Sequence, residues 1–270
     1  MADNIEITML GTGNAMVTKC YNTCFTIRTG EGYFLVDAGG GNGILSQLEK
    51  AGIGIEKIRG MFVTHGHTDH VLGAIWIIRL VAMLACQGQL ETPFTIYCHD
   101  EVAGMLETFC RMTLKKKHLD TLGNQIIIRT VENGENATCC GIKFTFFDIC
   151  STKKKQFGFR AELPDGQTLA CLGDEPYNEN CRQSAEGCDW LMHEAFCLHS
   201  DKETFKPYEK HHSTALDAAK NAQALGIRNL IIYHTEDTDL PHRKENYTSE
   251  ASKAFKGKIF VPNDLETITL

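Results

Sequence analysis

The segment THGHTDH, residues 64–70, places three histidines and an aspartate within six positions, directly after the apolar run GMFV. His65 and His67 are two residues apart in an extended segment, so both imidazoles can leave the same side of the chain, while Asp69 and His70 stand at the start of the next helix. Imidazole nitrogens and carboxylate oxygens suit a borderline divalent ion such as zinc. The segment therefore predicts two pairs of metal ligands for two neighbouring ions; the alternative, that these side chains only cap a helix or fill a core, requires a coincidence of four residues.

The rest of the chain alternates between predicted strands and predicted helices. Apolar runs bounded by turn residues predict strands at 5–10, 24–29, 33–38, 60–65, 92–98, 124–131, 142–149, 157–163, 168–173, 189–194 and 229–234. Helical periodicity predicts helices at 44–52, 70–86, 100–111, 213–225 and near 243–256. Many strands with helices between them predict two packed sheets that are covered by helices on the outside.

Length, composition and charge limit the classes of protein that this chain can be. None of its 270 residues form a linker-like stretch, so we expect one domain over residues 1–270. The net charge of −7 argues against a broad basic surface for long nucleic acids but allows a small anionic substrate. The N-terminus does not resemble a secretory signal, so we expect a cytoplasmic protein with its twelve cysteines reduced. The apolar run 71–86 carries Arg79, and we interpret it as a buried helix rather than a membrane span.

The string THGHTDH resembles the HxHxDH signature of the metallo-β-lactamase superfamily. Further segments stand in the order seen in the ribonuclease Z-like branch of that superfamily: LGTGNA (10–15), VDAGGG (36–41), CLGDE (171–175), HEAF (193–196), HHSTALDAA (211–219) and IIYHTED (231–237). The HST element, residues 212–214, is the most specific to this branch. The resemblance covers nearly the whole chain, and it implies an α/β (α+β) fold, the four-layer αββα metallo-β-lactamase sandwich, with a metal site at one edge between the sheets.

The resemblance also implies a ligand set. It consists of His65 and His67 for one ion, Asp69, His70 and His234 for the other, and Asp174 as a bridge. In the family a histidine from the loop after a strand normally completes the first site, but in FFDICSTKKKQFGF (146–159) the matching position is Cys150. A thiolate can replace imidazole on zinc. We therefore predict that Cys150 is a ligand; the alternative is that it points into the core and leaves the first ion weakly held.

Three residues are expected to take part in catalysis. Asp69 serves the second ion, and His212 of the HST element resembles a residue that contacts the scissile phosphate or protonates the leaving group. The alternative for His212 is a helix-start histidine beside an N-cap Ser213. Glu194 of HEAF is expected to orient a neighbouring side chain, unless its role is structural.

The resemblance implies a metal-dependent hydrolase in which a hydroxide bridges two divalent ions. We expect these ions to be zinc, with Mn²⁺ or Fe²⁺ as alternatives. The HST element favours a phosphodiesterase that acts on a small or single-stranded phosphodiester. Binding of tRNA is not expected, because residues 86–124 offer no extended basic arm. Two alternative functions stay open. One is an esterase, thioesterase or lactonase of the glyoxalase II type, and the other is a non-catalytic metal-binding scaffold. A homodimer also stays open. The run Lys153 to Lys155 lies beside a predicted site loop and either meets a phosphate or is solvated.

Overall fold

The computed structural model describes residues 4–270, whose strands form two seven-stranded sheets. The first sheet contains β1 (Glu6–Gly11), β2 (Cys24–Thr29), β3 (Gly32–Val36), β4 (Ile58–Val63), β5 (Phe94–Cys98), β6 (Ile126–Thr130) and the last strand, β14 (Thr267–Thr269). The second sheet contains β7 (Asn136–Cys139), β8 (Ile142–Asp148), β9 (Phe157–Glu162), β10 (Thr168–Cys171), β11 (Trp190–Glu194), β12 (Asn229–Tyr233) and β13 (Lys258–Phe260). The strand orders are β14-β1-β2-β3-β4-β5-β6 and β13-β12-β11-β10-β9-β8-β7.

Helices lie between the strands in both halves of the chain. They are α1 (Gly43–Lys50), α2 (Thr68–Cys86), α3 (Asp100–Thr113), α4 (Lys116–Leu119), α5 (Arg182–Ala185), α6 (Lys202–Phe205), α7 (Ala215–Ala224) and α8 (Leu240–Ala251). Apolar residues of α1, α2 and α3 pack with the first sheet, and those of α5, α7 and α8 pack with the second.

Alternation along the strands divides the buried side chains among three interfaces. Phe34 and Phe144 point between the sheets, where their rings stack at 4.4 Å, whereas Leu35, next to Phe34, faces the helices of the first half. Leu191 in the second sheet likewise faces the helices of the second half. Successive side chains of a strand point to opposite faces, so each sheet buries both of its faces. The arrangement confirms the expected four-layer αββα sandwich.

Parallel pairing brings the carboxyl ends of strands from both sheets to one edge of the sandwich. Strand β3 is parallel to β4, and β10, β11 and β12 are parallel to one another. The chain leaves each parallel group at the carboxyl ends of its strands, the usual place for a ligand site in α/β sheets.

The predicted elements agree with the structure in place and type, apart from the shortest ones. The predicted strand 142–149 is Ile142–Asp148, and the predicted helix 70–86 begins earlier, at Thr68. Sequence analysis missed six elements of three or four residues, namely β7, β13, β14, α4, α5 and α6. Such elements are too short to show a period of their own, because neighbouring chain segments stabilise them. That residues 1–270 form a single domain stays a prediction.

Among residues 4–270, helix α2 is the one helix long and apolar enough to span a membrane by length and composition, with a mean hydropathy of 1.7 over its most apolar window. In the structure one side of the helix, with Ile77 and Ile78, is buried against the first sheet, whereas Trp76 and Met83 are exposed. The expected buried helix is therefore what the fold contains.

Candidate metal centre

Polar side chains follow the carboxyl ends of the parallel strands and meet at one edge of the sandwich. His65 and His67 come after β4, Asp174 comes after β10 and His234 directly follows β12. Asp69 lies in the first turn of α2. The two sheets thus contribute to one cluster through loops that leave neighbouring strand ends.

Two residues at these strand ends have an unusual backbone conformation. Asp37, which follows β3, has φ 53°, and His234 has φ 58°. A left-handed conformation is unfavourable for residues other than glycine, and such strain concentrates at functional sites. The local backbone is therefore held in place by the packing around it.

The first group of potential ligands contains His65, His67 and Asp174. His65 Nε2 lies 2.8 Å from His67 Nδ1, so the two rings direct nitrogen atoms at the same point. Asp174 Oδ2 lies 3.5 Å from His65 Nε2. These three atoms face one another from two different sheets.

The second group contains Asp69, His70 and His234. Asp69 Oδ2 lies 3.3 Å from His70 Nε2 and 3.6 Å from His234 Nε2. Asp174 Oδ2 also lies 3.5 Å from His70 Nε2 and 3.6 Å from His234 Nε2. One oxygen of Asp174 therefore stands between the two groups.

The donor atoms of this cluster fit divalent ions. His70 Nε2 and His234 Nε2 are buried and have no hydrogen-bond partner among the described residues. Buried polar atoms are normally paired, so two imidazole nitrogens that face carboxylates without a hydrogen bond need another partner. Nitrogen and carboxylate donors in such groups are those that zinc and similar ions take.

The electrostatics of the cluster also favour a cation. Burial raises the pKa of Asp69, but His70 and His234 outweigh this effect and hold that pKa well below its usual range. Burial lowers the pKa of His70, but the carboxylates of Asp69, Asp37 and Asp174 raise it well above its usual value. These carboxylates are concentrated in a buried space, where positive charge stabilises them.

His212 and Glu194 lie on the other side of His234. His212 Nδ1 is 3.4 Å from Glu194 Oε2, and the imidazole stacks on the ring of Phe196 at 5.1 Å. The other carboxylate oxygen of Glu194 accepts hydrogen bonds of 2.6 Å from the backbone N–H and the hydroxyl of Ser213. Ser213 thus fixes the carboxylate, and helix α7 is capped by Thr214 instead.

The cluster opens into a pocket of about 500 Å³. The pocket is lined by residues of the cluster and by four neighbouring segments: Asn14, Ala15, Met16, Gly66, His67, Thr68, Asp69, Lys153, Asp174, Phe196, Lys210, His212 and His234. The pocket therefore gives a small substrate a route to the edge of the cluster.

Comparisons with known proteins agree with the fold and the site. The profile of the family described as "Anti-Pycsar protein Apyc1" matches residues 5–251. The chain belongs to this family. It is also 27% identical to a protein named Ribonuclease Z from Mycobacterium bovis, over 98% of both chains.

Solved structures with the metallo-β-lactamase fold superpose on this Apyc1-family chain. The fold protein YhfI from Bacillus subtilis matches with a TM-score of 0.79 at 20% identity, and 98% of this chain and 99% of that chain are covered. The short form of human tRNase Z matches with a TM-score of 0.71 at 19% identity, over 98% of both chains. The sequence relative named Ribonuclease Z and these fold matches together confirm the expected ribonuclease Z-like member of the metallo-β-lactamase superfamily.

The Apyc1-family chain brings six of its seven predicted ligands together in the two groups above and leaves Cys150 out. The Cys150 thiol is exposed and lines a separate pocket with Asp148 and Arg160. The backbone at Cys150 is left-handed, with φ 56°, and the loop continues for six residues before it reaches the cluster. This position matches neither the expected thiolate ligand nor the alternative, a thiol that points into the core.

The residue that reaches the cluster from this loop is Gln156. It pairs with His65 in a β-bridge, its amide nitrogen lies 2.7 Å from His65 Nδ1, and it donates a hydrogen bond to Asp174 Oδ1. Sequence analysis missed Gln156, because an amide in a lysine-rich loop shows no pattern of its own.

Sequence analysis also missed Asp37 as a site residue. Its carboxylate accepts hydrogen bonds of 2.8 Å from His70 Nδ1, from the Thr64 backbone N–H and from the Thr64 hydroxyl. The available signal was an acidic residue directly after a buried strand and before three glycines, in VDAGGG.

Proposed function

We propose that the protein is a metal-dependent phosphodiesterase with a dinuclear site. The observation that carries the proposal is the position of Asp174 Oδ2, which lies 3.5–3.6 Å from His65 Nε2, His70 Nε2 and His234 Nε2 and so between the two groups. A carboxylate in that position suits a bridge between two ions. The curated relative named Ribonuclease Z supports a phosphodiester as the substrate.

His65, His67 and Asp174 would hold the first ion, and Asp69, His70, His234 and Asp174 would hold the second. When bound, two such ions lower the pKa of a shared water and hold an oxygen of the substrate phosphate. We infer that both ions are zinc, because imidazole and carboxylate donors in this number suit it; Mn²⁺ and Fe²⁺ are the alternatives. Asp69 is thus needed for catalysis as a ligand.

The side chains outside the ligand set supply a proton donor. The Nδ1 side of His212 faces the Glu194 carboxylate at 3.4 Å, which orients the ring at the edge of the pocket. A protonated imidazole in this place can give its proton to the leaving oxygen as the phosphodiester is cleaved. Glu194 acts through His212, so we describe it as a positioning residue.

A small or single-stranded phosphodiester suits the site better than a folded RNA. The pocket volume of about 500 Å³ admits a ligand of limited size. The segment between α2 and β6 folds into β5, α3 and α4, which belong to the sandwich layers. Cytoplasmic location and the oligomeric state stay predictions of the sequence.

The test is an assay of metal-loaded protein with bis-p-nitrophenyl phosphate, in parallel with a thioester and a lactone. We expect phosphodiester hydrolysis to exceed the other two activities and to disappear after chelation. Elemental analysis should give about two ions per chain. A preparation that is loaded with metal but prefers the thioester or lactone would establish the esterase alternative. Bound metal without any hydrolysis would establish the scaffold alternative.

Asp69→Asn gives a sharper test of the dinuclear site. We expect this variant to keep its fold, to lose the second ion and to lose nearly all hydrolysis. Helix content and melting temperature serve as the fold control. Full activity in a variant that has lost one ion would exclude the dinuclear mechanism.

A further inference from the structure

Two lysines from different loops line the pocket of the candidate metal centre. Lys153 belongs to the loop between β8 and β9, and Lys210 directly precedes the two histidines of the HHST segment. Both side chains are exposed at the mouth, whereas the donor atoms of the cluster are buried. They add positive charge to the entrance of a pocket in a chain of net charge −7.

The other lysines of the loop that carries Lys153 are ion-paired. Lys154 Nζ lies 3.2 Å from Glu101 Oε2, and Lys155 Nζ lies 2.6 Å from Asp100 Oδ1. Within residues 4–270, Lys153 makes no salt bridge within 4.0 Å. The member of this run that faces the pocket is therefore the one whose charge is available to a ligand.

The segment that carries Lys210 likewise contains one ion-paired lysine and one lysine without a salt bridge among the described residues. Lys206 Nζ pairs with Glu209 Oε1 at 3.2 Å, while Lys210 has no carboxylate within 4.0 Å in the described part of the chain. Instead, Lys210 Nζ lies 4.7 Å from the centroid of the Phe196 ring. A cation over an aromatic face keeps its charge while its position is restricted.

Both lysines are connected to the cluster by fixed contacts. The Phe196 ring stacks on His212 at 5.1 Å, and the His212 ring lies 5.3 Å from that of His234. On the other loop, the backbone N–H of Lys153 donates to the hydroxyl of Ser151, which in turn donates to the Glu175 carboxylate next to Asp174. The loop backbone at Lys153 and the Phe196 ring beside the Lys210 ammonium are thus connected to the proposed ligands.

We propose that Lys153 and Lys210 form an anion-binding pair that holds the phosphate oxygens of the substrate at the mouth of the pocket. The inference rests on the proposed function for its substrate, a phosphodiester. A lysine ammonium binds phosphate as a compact point charge, and two of them at the entrance offset the repulsion between an acidic protein and an anion. The pair acts on substrate binding and contributes less to the chemical step.

The test compares Lys153→Gln and Lys210→Gln with two matched variants, Lys155→Gln and Lys206→Gln, which remove ion-paired lysines from the same two segments. Inorganic phosphate is titrated into each metal-loaded protein by calorimetry, and kcat/KM is measured with bis-p-nitrophenyl phosphate. We expect each pocket variant to lower both the phosphate affinity and kcat/KM roughly 5- to 10-fold, mainly through KM. The matched variants should stay within about 2-fold of the wild type.

Two further measurements separate a charge effect from a structural one. The double variant Lys153→Gln/Lys210→Gln has fewer charges that attract the substrate. The logarithm of its kcat/KM should therefore fall less steeply with salt concentration than that of the wild type. Lys210→Arg should recover most of the affinity, because it keeps the charge and the contact with Phe196.

The outcomes distinguish this inference from the proposed function. Equal phosphate affinity in the pocket variants and the matched variants overturns the inference, whatever the assay of hydrolysis shows. If wild-type protein binds phosphate through the two lysines but hydrolyses no phosphodiester, the anion-binding pair stands and the proposed function fails.

Discussion

His70 Nδ1 donates a hydrogen bond of 2.8 Å to Asp37 Oδ2, and the same ring directs Nε2 at Asp69 and Asp174. Asp37 thereby fixes both the orientation and the tautomer of a proposed metal ligand. Carboxylates in this outer position usually raise the basicity of the imidazole and strengthen metal binding.

We therefore expect Asp37→Asn to weaken binding of the second ion about 10- to 100-fold. Asparagine keeps the shape of the side chain and tolerates the left-handed backbone at this position, φ 53°. A chelator competition assay measures the metal affinity, and the melting curve of the metal-free variant checks the fold. Unchanged affinity in a folded variant would mean that Asp37 acts on stability alone.

His212→Ala should retain both ions and lose turnover by about 10²- to 10⁴-fold, because it removes the proposed proton donor but none of the proposed ligands. Elemental analysis and steady-state kinetics measure the two effects. Loss of an ion would reassign His212 as a ligand, in line with its place in a third group with Glu194 and His234. Unchanged kinetics would leave His212 with a structural role at the start of helix α7.

Glu194→Gln should lower kcat by less than His212→Ala, because it disturbs the proton donor without removing it. If Glu194 acts through His212, the double variant should be no slower than His212→Ala alone. Multiplicative effects in the double variant would show that the two residues act independently.

Cys150→Ala should keep both ions and the wild-type rate, because the Cys150 thiol lies in a separate exposed pocket. Gln156→Ala is the matched change within the same loop. We expect it to lower metal affinity about 10-fold, since its amide contacts both His65 and Asp174. Loss of one ion from Cys150→Ala would restore the thiolate ligand that the sequence predicts.

These two positions show which part of the site the sequence could predict. The proposed ligands His65, His67, Asp69 and His70 belong to one short segment, so their spacing alone indicates their chemistry. Gln156 meets His65 only because β9 begins where the loop after β4 passes, a contact between residues 91 positions apart. The resemblance to the family's loop therefore indicates Cys150, because no local pattern predicts where a loop of irregular backbone turns.

For the fold, too, the sequence predicts the elements that carry a pattern of their own and misses those that depend on distant contacts. Long strands with alternating burial, such as Ile142–Asp148, were predicted almost to the residue, because each one carries its own pattern. Strand β14 contains three residues and exists because it pairs with β1, more than 250 positions away. Elements of this kind depend on contacts that the local sequence does not encode.

Gly73→Ala should destabilise the protein by at least about 1–3 kcal/mol. A Cβ at this position of α2 would lie 1.8 Å from the backbone oxygen of Ala38, and Gly73 N–H donates to Gly39 O at 2.8 Å. The helix therefore has to approach the loop after β3 without a side chain. Denaturant unfolding measures the change in the free energy of unfolding.

Gly104→Ala is the matched control, because it lies inside helix α3 and a Cβ there would meet no atom of residues 4–270 within 4 Å. Alanine should increase the free energy of unfolding by about 0.5–1 kcal/mol at such a site. Equal effects of the two substitutions would mean that α2 can move away from the loop at little cost.

The buried histidine His193 should make the protein less stable at acid pH. Burial lowers the pKa of His193, whose Nδ1–H donates to Glu194 O at 2.6 Å and whose Nε2 accepts from Asn221 at 3.1 Å. Below the pKa of an unfolded histidine, about 6.5, the unfolded chain takes up a proton that the folded chain does not. Stability from His193 is therefore complete above that pH and is lost as the pH falls toward the lowered pKa of the folded state.

His193→Gln isolates this contribution, because the other titrating groups are shared with the wild type. In metal-free protein we expect His193→Gln to be less stable than the wild type at pH 8, with the difference narrowing by up to about 1.4 kcal/mol per pH unit below about 6.5. A difference for His193→Gln that stays constant between pH 8 and pH 5 would show that the folded protein protonates His193 as readily as the unfolded chain does.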